Sequence, residues 1–144
     1  KIAYSIKEYE YDEDHLDGRH VASQVDMDPN AIFKTLVLHD NHNEHLVCCV
    51  PVLEEIDLKK LAKLAGRKSV EMIHQKDLLS VTGYMRGGCS PVGMKKQFPT
   101  YMDESILTVD EVAFSAGKRG YQMIVNVQQI LTYLNVEVGD IIRK

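Results

Sequence analysis

Two β-rich apolar runs, Ile32 to Leu38 and His45 to Val52, constrain this chain most; a polar stretch centred on Asn41 and Asn43 separates them. Runs of this length and composition around a short polar connection predict a hairpin. Along the first run, alternation sets Ile32, Lys34, Leu36 and Leu38 on one face and Phe33, Thr35 and Val37 on the other. Both faces are apolar, so the strand must be covered on both sides. The 144 residues, 44% of them hydrophobic, suffice for one such core, and a single domain over 1–144 is expected. The chain opens at Lys1 without an initiator Met, so an N-terminal segment is expected to be missing.

The rest of the pattern interleaves strands and helices. Ala3 to Tyr11 reads as a strand, Gly18 to Val25 as a short helix, and Asp28-Pro29-Asn30 as a turn. Asp57 caps a helix whose apolar positions Leu58, Leu61, Ala62, Leu64 and Ala65 follow the helical period, with Gly66 as the stop. A short strand is predicted near Val70 to Ile73 and a helix over Gln75 to Ser80. Thr82 to Gly93 holds four of the nine glycines and Pro91 and reads as an ordered loop. Strands are predicted at Ile106 to Val109, Glu111 to Ser115 and Tyr121 to Val125, a helix at Val127 to Leu134, and a last strand at Val138 to Ile142. The expected class is α+β, a mixed α/β domain with a largely antiparallel sheet wrapped by helices.

Composition excludes several classes. No apolar run is long enough to span a membrane, and no signal peptide is visible. Of three cysteines, Cys48 and Cys49 are adjacent and would point to opposite faces of a strand. Reduced thiols and a cytoplasmic location are the expectation. The net charge of −4 argues at first against a phosphate-rich partner, but eight acids against three bases sit in residues 1–30, leaving about +1 for the remainder. Residues 83–98 hold Arg86, Lys95 and Lys96 and no acid, which leaves room for one basic face.

Three features stand out as candidate chemistry. Lys34 is an ammonium in a strand with apolar faces, which costs several kcal/mol unless paired or used. Gly83 to Gly93 can turn backbone N–H groups towards a phosphate, carboxylate or polarised carbonyl; it has neither the Walker nor the dinucleotide spacing. Ser115-Ala116-Gly117-Lys118-Arg119-Gly120 puts two cations at a hairpin tip, suited to phosphate. Each has a plain alternative: a snorkelling or ion-paired lysine, a tight loop, solvated turn charges. His39, His42 and His45 lack a completing ligand pattern, so neither metal nor cofactor is expected. Cys89 has no base at a recognisable spacing, and Cys48 and Cys49 read as core.

Taken together, Phe33-Lys34-Thr35-Leu36-Val37, Gly83-Tyr84 through Gly87-Gly88-Cys89-Ser90-Pro91-Val92-Gly93-Met94-Lys95-Lys96, and Ser115 to Gly120 closely resemble the YbaK/EbsC family. Its members are bacterial aminoacyl-tRNA deacylases related to the editing domain of prolyl-tRNA synthetase. The resemblance runs in order over nearly the whole chain. It implies trans-editing, the removal of cysteine wrongly attached to proline tRNA, in a cleft lined by the three blocks. It assigns the family lysine to Lys34 and the neighbouring hydroxyl to Thr35. The Gly-x-x-x-Pro element that orients the ester carbonyl falls on Gly87 and Pro91, with Gly88 and Ser90 between them. The family's first-strand tyrosine falls on Tyr9, and its serine before the turn on Ser115, followed by Gly117. Leu16 stands where some members carry Phe, and the Cys89 position varies within the family.

An aminoacyl ester is already activated, so positioning and charge stabilisation are the main demands on the protein. The resemblance favours attack by the substrate's own thiol, with thiolactone release. Lys34 is then expected to bind the ester region and stabilise charge, with Gly87 as the second catalytic position. Arg86, Lys95, Lys96, Lys118 and Arg119 are the expected tRNA phosphate contacts. The partners implied are aminoacyl-tRNA(Pro) and, for tRNA choice, prolyl-tRNA synthetase. The alternatives are deacylation of Ala-tRNA(Pro), a non-catalytic tRNA- or synthetase-binding module, and a Schiff-base lysine enzyme.

Overall fold

In the computed structural model, which describes residues 4–8, 27–85, 88–117 and 121–144, the apolar runs pair as the central hairpin. Strands β2 (Phe33–Asp40) and β3 (His45–Pro51) are antiparallel, in register from Phe33 opposite Pro51 to His39 opposite His45. The Asp40 carboxylate closes the turn by accepting from the N–H groups of His42 at 2.8 Å and Glu44 at 2.9 Å. Arg67 then clamps Asp40 and Glu44 from outside. Helix α1 (Leu58–Ala65) follows, its first turn capped by Asp57 and its end marked by left-handed Gly66.

Strand β4 (Val70–Met72) pairs with the outer edge of β2 at Leu38 to Asp40 only. Helix α2 (Leu78–Thr82) leads into the glycine-rich loop. Strand β5 (Thr100–Asp103) lies parallel to β3, and β8 (Glu137–Gly139) parallel to β5, giving the order β4-β2-β3-β5-β8. A second, antiparallel sheet has the order β1-β7-β6, from β1 (Tyr4–Glu8), β6 (Glu111–Ser115) and β7 (Tyr121–Asn126). Helix α3 (Val127–Leu134), capped by Asn126, follows β7.

Both faces of the hairpin are covered, as its composition demands. Leu38, Leu46, Cys48 and Val50 pack with Leu61 and Ala62 of α1. On the other side Phe33, Cys49 and Met102 meet Phe114, Val125 and the α3 residues Ile130 and Leu134. The Phe33 and Phe114 rings meet edge-on, 6.3 Å apart, and tie the two sheets together.

Several expectations need correction. Ile106 to Val109 is no strand: Glu104–Thr108 is a 3-10 helix capped by Asp103, and Ile106 is buried. The strand lies just before it, at β5. The helix predicted over Gln75 to Ser80 divides into a 3-10 turn, Gln75–Asp77, and α2. The final strand ends at Gly139, beyond which Ile142 makes an isolated bridge to Ile56. Pro29–Ala31 is a 3-10 turn where a simple turn is predicted. The Gly18 to Val25 helix and the end of the first strand lie outside the described residues. Among the described residues no helix is long and apolar enough to cross a membrane.

Candidate active site

The site follows from one inter-sheet contact. Ile32, just before β2, makes an isolated parallel bridge to Ala113 of β6, after which no further pairing joins β2 and β6 among the described residues. Ile32 and Ala113 share a buried cluster with Ile124, so their side chains lie on one face. Two residues further along each strand, Lys34 and Ser115 are counterparts across the resulting gap, on that same face by alternation. Gln122 stands directly opposite Ser115 in the β6–β7 register. Thr35 points to the other side, its hydroxyl 3.6 Å from the Cys49 sulfur. Backbone groups of Val37 face β4, where its carbonyl accepts from Ile73 N–H. By the same alternation those of Thr35 face the gap, and no strand among the described residues pairs with its outer edge there.

The glycine-rich loop packs on the Thr35 and Val37 side of β2. Cys89 and Thr35 line one cavity of about 230 Å³, together with Val37, Met72 and Leu78. A larger cavity, of about 690 Å³, adjoins the loop and includes Tyr84, Ser90, Ala116, Met123 and Tyr133. Tyr84 is the pin between the blocks. Its hydroxyl donates to the Val92 carbonyl, and its N–H donates to the Thr82 hydroxyl at 3.0 Å. Its ring lies against Gly117: a Cβ there would come within 2.9 Å of Tyr84 Cε1. Ser90 is buried, with its hydroxyl accepting from Val92 N–H at 3.3 Å. The N–H groups of Cys89 and Ser90 have no acceptor among the described residues, although both residues are buried. Two adjacent unpaired donors on buried residues suit a carbonyl oxygen or its oxyanion.

Burial lowers the Lys34 amine from its ordinary value, and the Glu55, Cys48 and Glu54 side chains oppose the shift. Half-buried Lys34 makes no ion pair among the described residues, so its charge remains available to a ligand. The three thiols are driven the other way. Burial raises Cys89 to about 11 and Cys49 to about 12, and pushes Cys48 well above its usual value. None offers a thiolate near neutrality.

The aminoacyl-tRNA editing domain model matches residues 16–133. A protein of Enterococcus faecalis named "Putative Cys-tRNA(Pro)/Cys-tRNA(Cys) deacylase EbsC" is 46% identical over 144 residues, covering 100% of this chain and 88% of that protein. The chain belongs to the aminoacyl-tRNA editing domain family. Two solved structures share the fold. One, described as a "putative trans-editing enzyme for prolyl tRNA synthetase", superposes with a TM-score of 0.85 at 22% identity, covering 98% of this chain and 87% of that one. The other, hypothetical protein APE2540, has a TM-score of 0.87 at 18% identity, with 98% and 92% covered.

In this editing domain the three sequence blocks converge: β2 on β6 at Ile32, Cys89 beside Thr35, and Tyr84 against Gly117. Lys34 and Thr35, adjacent in sequence, project to opposite faces of β2. Gly88, Ser90 and Pro91 are all buried in the loop. Lys95 and Lys96 are exposed; the Lys95 stem lies over Gly83, and Lys96 sits 5.9 Å from the Phe98 ring centre. Tyr9, Leu16, Arg86, Gly87, Lys118 and Arg119 lie outside the described residues. Among the described residues no group of three His, Cys, Asp or Glu side chains is placed to hold a metal ion. Sequence reasoning passed over Tyr84 and Gln122. Tyr84 lies between two glycine positions, Gly93 and Gly117, whose φ values of +75° and +91° call for glycine. Gln122 reads as an ordinary polar residue until its register partner is known.

Proposed function

We propose that this editing domain deacylates Cys-tRNA(Pro) in trans, with the ester held in the gap between β2 and β6. The single structural observation behind this reading is the pair of unpaired amides at Cys89 and Ser90, in a loop whose Cys89 lines a cavity with Thr35, the neighbour of Lys34. The name of the Enterococcus relative supplies the substrate. The ester carbonyl takes hydrogen bonds from the loop amides, joined by Gly87, and Lys34 offsets the negative charge that develops as the carbonyl is attacked. The terminal nucleoside occupies the larger cavity beside Tyr84, while Tyr9, Thr35, Pro91, Ser115 and Gly117 border the aminoacyl end.

The nucleophile is the substrate's own thiol, the route the family resemblance favours, while burial raises the protein's own three thiols. Sulfur bonds to the carbonyl carbon as the bond to the ribose 3′-oxygen breaks, and the thiol proton ends on that oxygen. The products are free tRNA and a thiolactone, which water later opens to cysteine. The reaction is thereby lyase-like in its first step. Side-chain size alone discriminates one methylene only ~10–200-fold, a limit that thiol chemistry avoids. Arg86, Lys95, Lys96, Lys118 and Arg119 contact phosphates, and this attraction weakens with salt. These few cations do not read an acceptor stem, so tRNA choice falls to a complex with prolyl-tRNA synthetase in the cytoplasm.

Product analysis with purified Cys-tRNA(Pro), S-blocked Cys-tRNA(Pro), Ser-tRNA and Ala-tRNA(Pro) tests the reading. Thiolactone from the first and no turnover of the S-blocked or seryl substrates is the expected outcome. Equal hydrolysis of the alanyl and cysteinyl substrates would refute the thiol route.

A further inference from the structure

Gln122 is 4% exposed, and its carboxamide oxygen has no hydrogen-bond partner among the described residues. An amide oxygen withdrawn from water with nothing to accept from weakens a fold, so its presence calls for a reason. Its position supplies one. Gln122 faces Ser115 across the β6–β7 ladder, on the face that Ile32, Ala113 and Ile124 share. By register, Lys34 lies on the same face across the gap. The oxygen is thus a buried, unused acceptor on the strand face that borders the gap.

An aminoacyl ester offers few donors there. The thiol is committed to attack, and the 2′-hydroxyl belongs to the ribose, on the side of the larger cavity. The α-amino group is bonded directly to the carbon next to the reacting carbonyl, and in a gap bordered by the Lys34 cation it needs an oxygen to offset its own positive charge.

We propose that Gln122 is a substrate-binding residue whose carboxamide oxygen accepts a hydrogen bond from the α-amino group of the esterified amino acid. This rests on the deacylase reading of the same gap. It makes Gln122 the residue that selects an aminoacyl group over an acyl group lacking the amine.

The test uses the full chain and two stable ligands, 3′-cysteinylamido-3′-deoxyadenosine and its desamino twin, the 3-mercaptopropionyl amide. Binding is measured by calorimetry for the wild type and Gln122→Met, which keeps the side-chain volume. The wild type is expected to prefer the amine-bearing ligand by about 10–100-fold, as for a hydrogen bond to a charged group. Gln122→Met should erase that preference, leave the desamino affinity unchanged, and unfold at a temperature equal to or above the wild type. Equal loss for both ligands, a preference that survives the substitution, no binding of either ligand, or a clear drop in melting temperature would each overturn the assignment. Turnover of Cys-tRNA(Pro) is scored separately: its absence with the ligand preference intact rejects the deacylase reading alone.

Discussion

Replacing Gly117 with alanine would drive a methyl group towards the Tyr84 ring, where the nearest atom would be 2.9 Å away. Real Cβ contacts do not come that close, so the ring or the turn must shift. The backbone adds a second cost, because φ is +91° at this position and an L side chain disfavours that region by about 1–2 kcal/mol. Forcing the methyl group against a packed ring costs about 1–3 kcal/mol more. The expected destabilisation is about 2–5 kcal/mol, a fall in melting temperature on the order of 10 °C for a chain of this size. Activity should fall further than stability at temperatures where the variant is folded. Tyr84 holds the loop through the Val92 carbonyl, and a misplacement of about 1 Å near the reacting atoms can cost about 10²-fold. Chemical denaturation of Gly117→Ala in wild-type and Tyr84→Leu backgrounds separates the two costs. Without the ring only the backbone part should remain, giving a coupling of about 1–3 kcal/mol. Strictly additive losses would show that the ring does not brace the turn.

Lys34→Met should lower kcat for Cys-tRNA(Pro) by about 10²–10³-fold while the fold persists, measured by deacylation of labelled substrate and circular dichroism; near-normal turnover would remove Lys34 from the mechanism. Cys89→Ala should keep most of the activity because its thiol, raised to about 11, is not the nucleophile, and complete loss would contradict the substrate-thiol route. Backbone N–H donation from Glu44, with the Arg67 guanidinium and the His42 amide, holds the Asp40 carboxyl down at about 2. Its folded value lies below its ordinary 3.8, so the stabilisation is complete above 3.8 and drains away as pH falls towards 2. Denaturation midpoints of wild type and Asp40→Asn should therefore differ at pH 7 and converge in acid; a gap independent of pH would show that the carboxylate charge is not what stabilises the turn.

Local chemistry wrote much of this fold into the sequence. The hairpin of β2 and β3 follows from two apolar runs around a polar turn, and α1 from Asp57, its apolar period and Gly66. Helix α3 occupies the stretch its pattern predicts, Val127–Leu134. In each case the decisive interactions join residues a few positions apart. The failures have the opposite origin. Thr100–Asp103 becomes a strand because β3 and β8 flank it as parallel partners, whereas Ile106 is buried from a 3-10 turn that Asp103 caps. An apolar run records burial but not which backbone supplies the hydrogen bonds.

The candidate site divides the same way. Lys34 was conspicuous because an ammionium group in an apolar strand violates a local rule, and the glycines of the loop because they permit turns other residues resist. That Lys34 shares a face with Ser115 and Gln122, while Thr35 lines a cavity with Cys89, depends on one bridge between Ile32 and Ala113, far apart in the chain. The sequence alone determined which residues were out of place by the rules of their own elements. Tertiary structure decided what they confront, because the register between two sheets is set by long-range packing that no short stretch of sequence encodes.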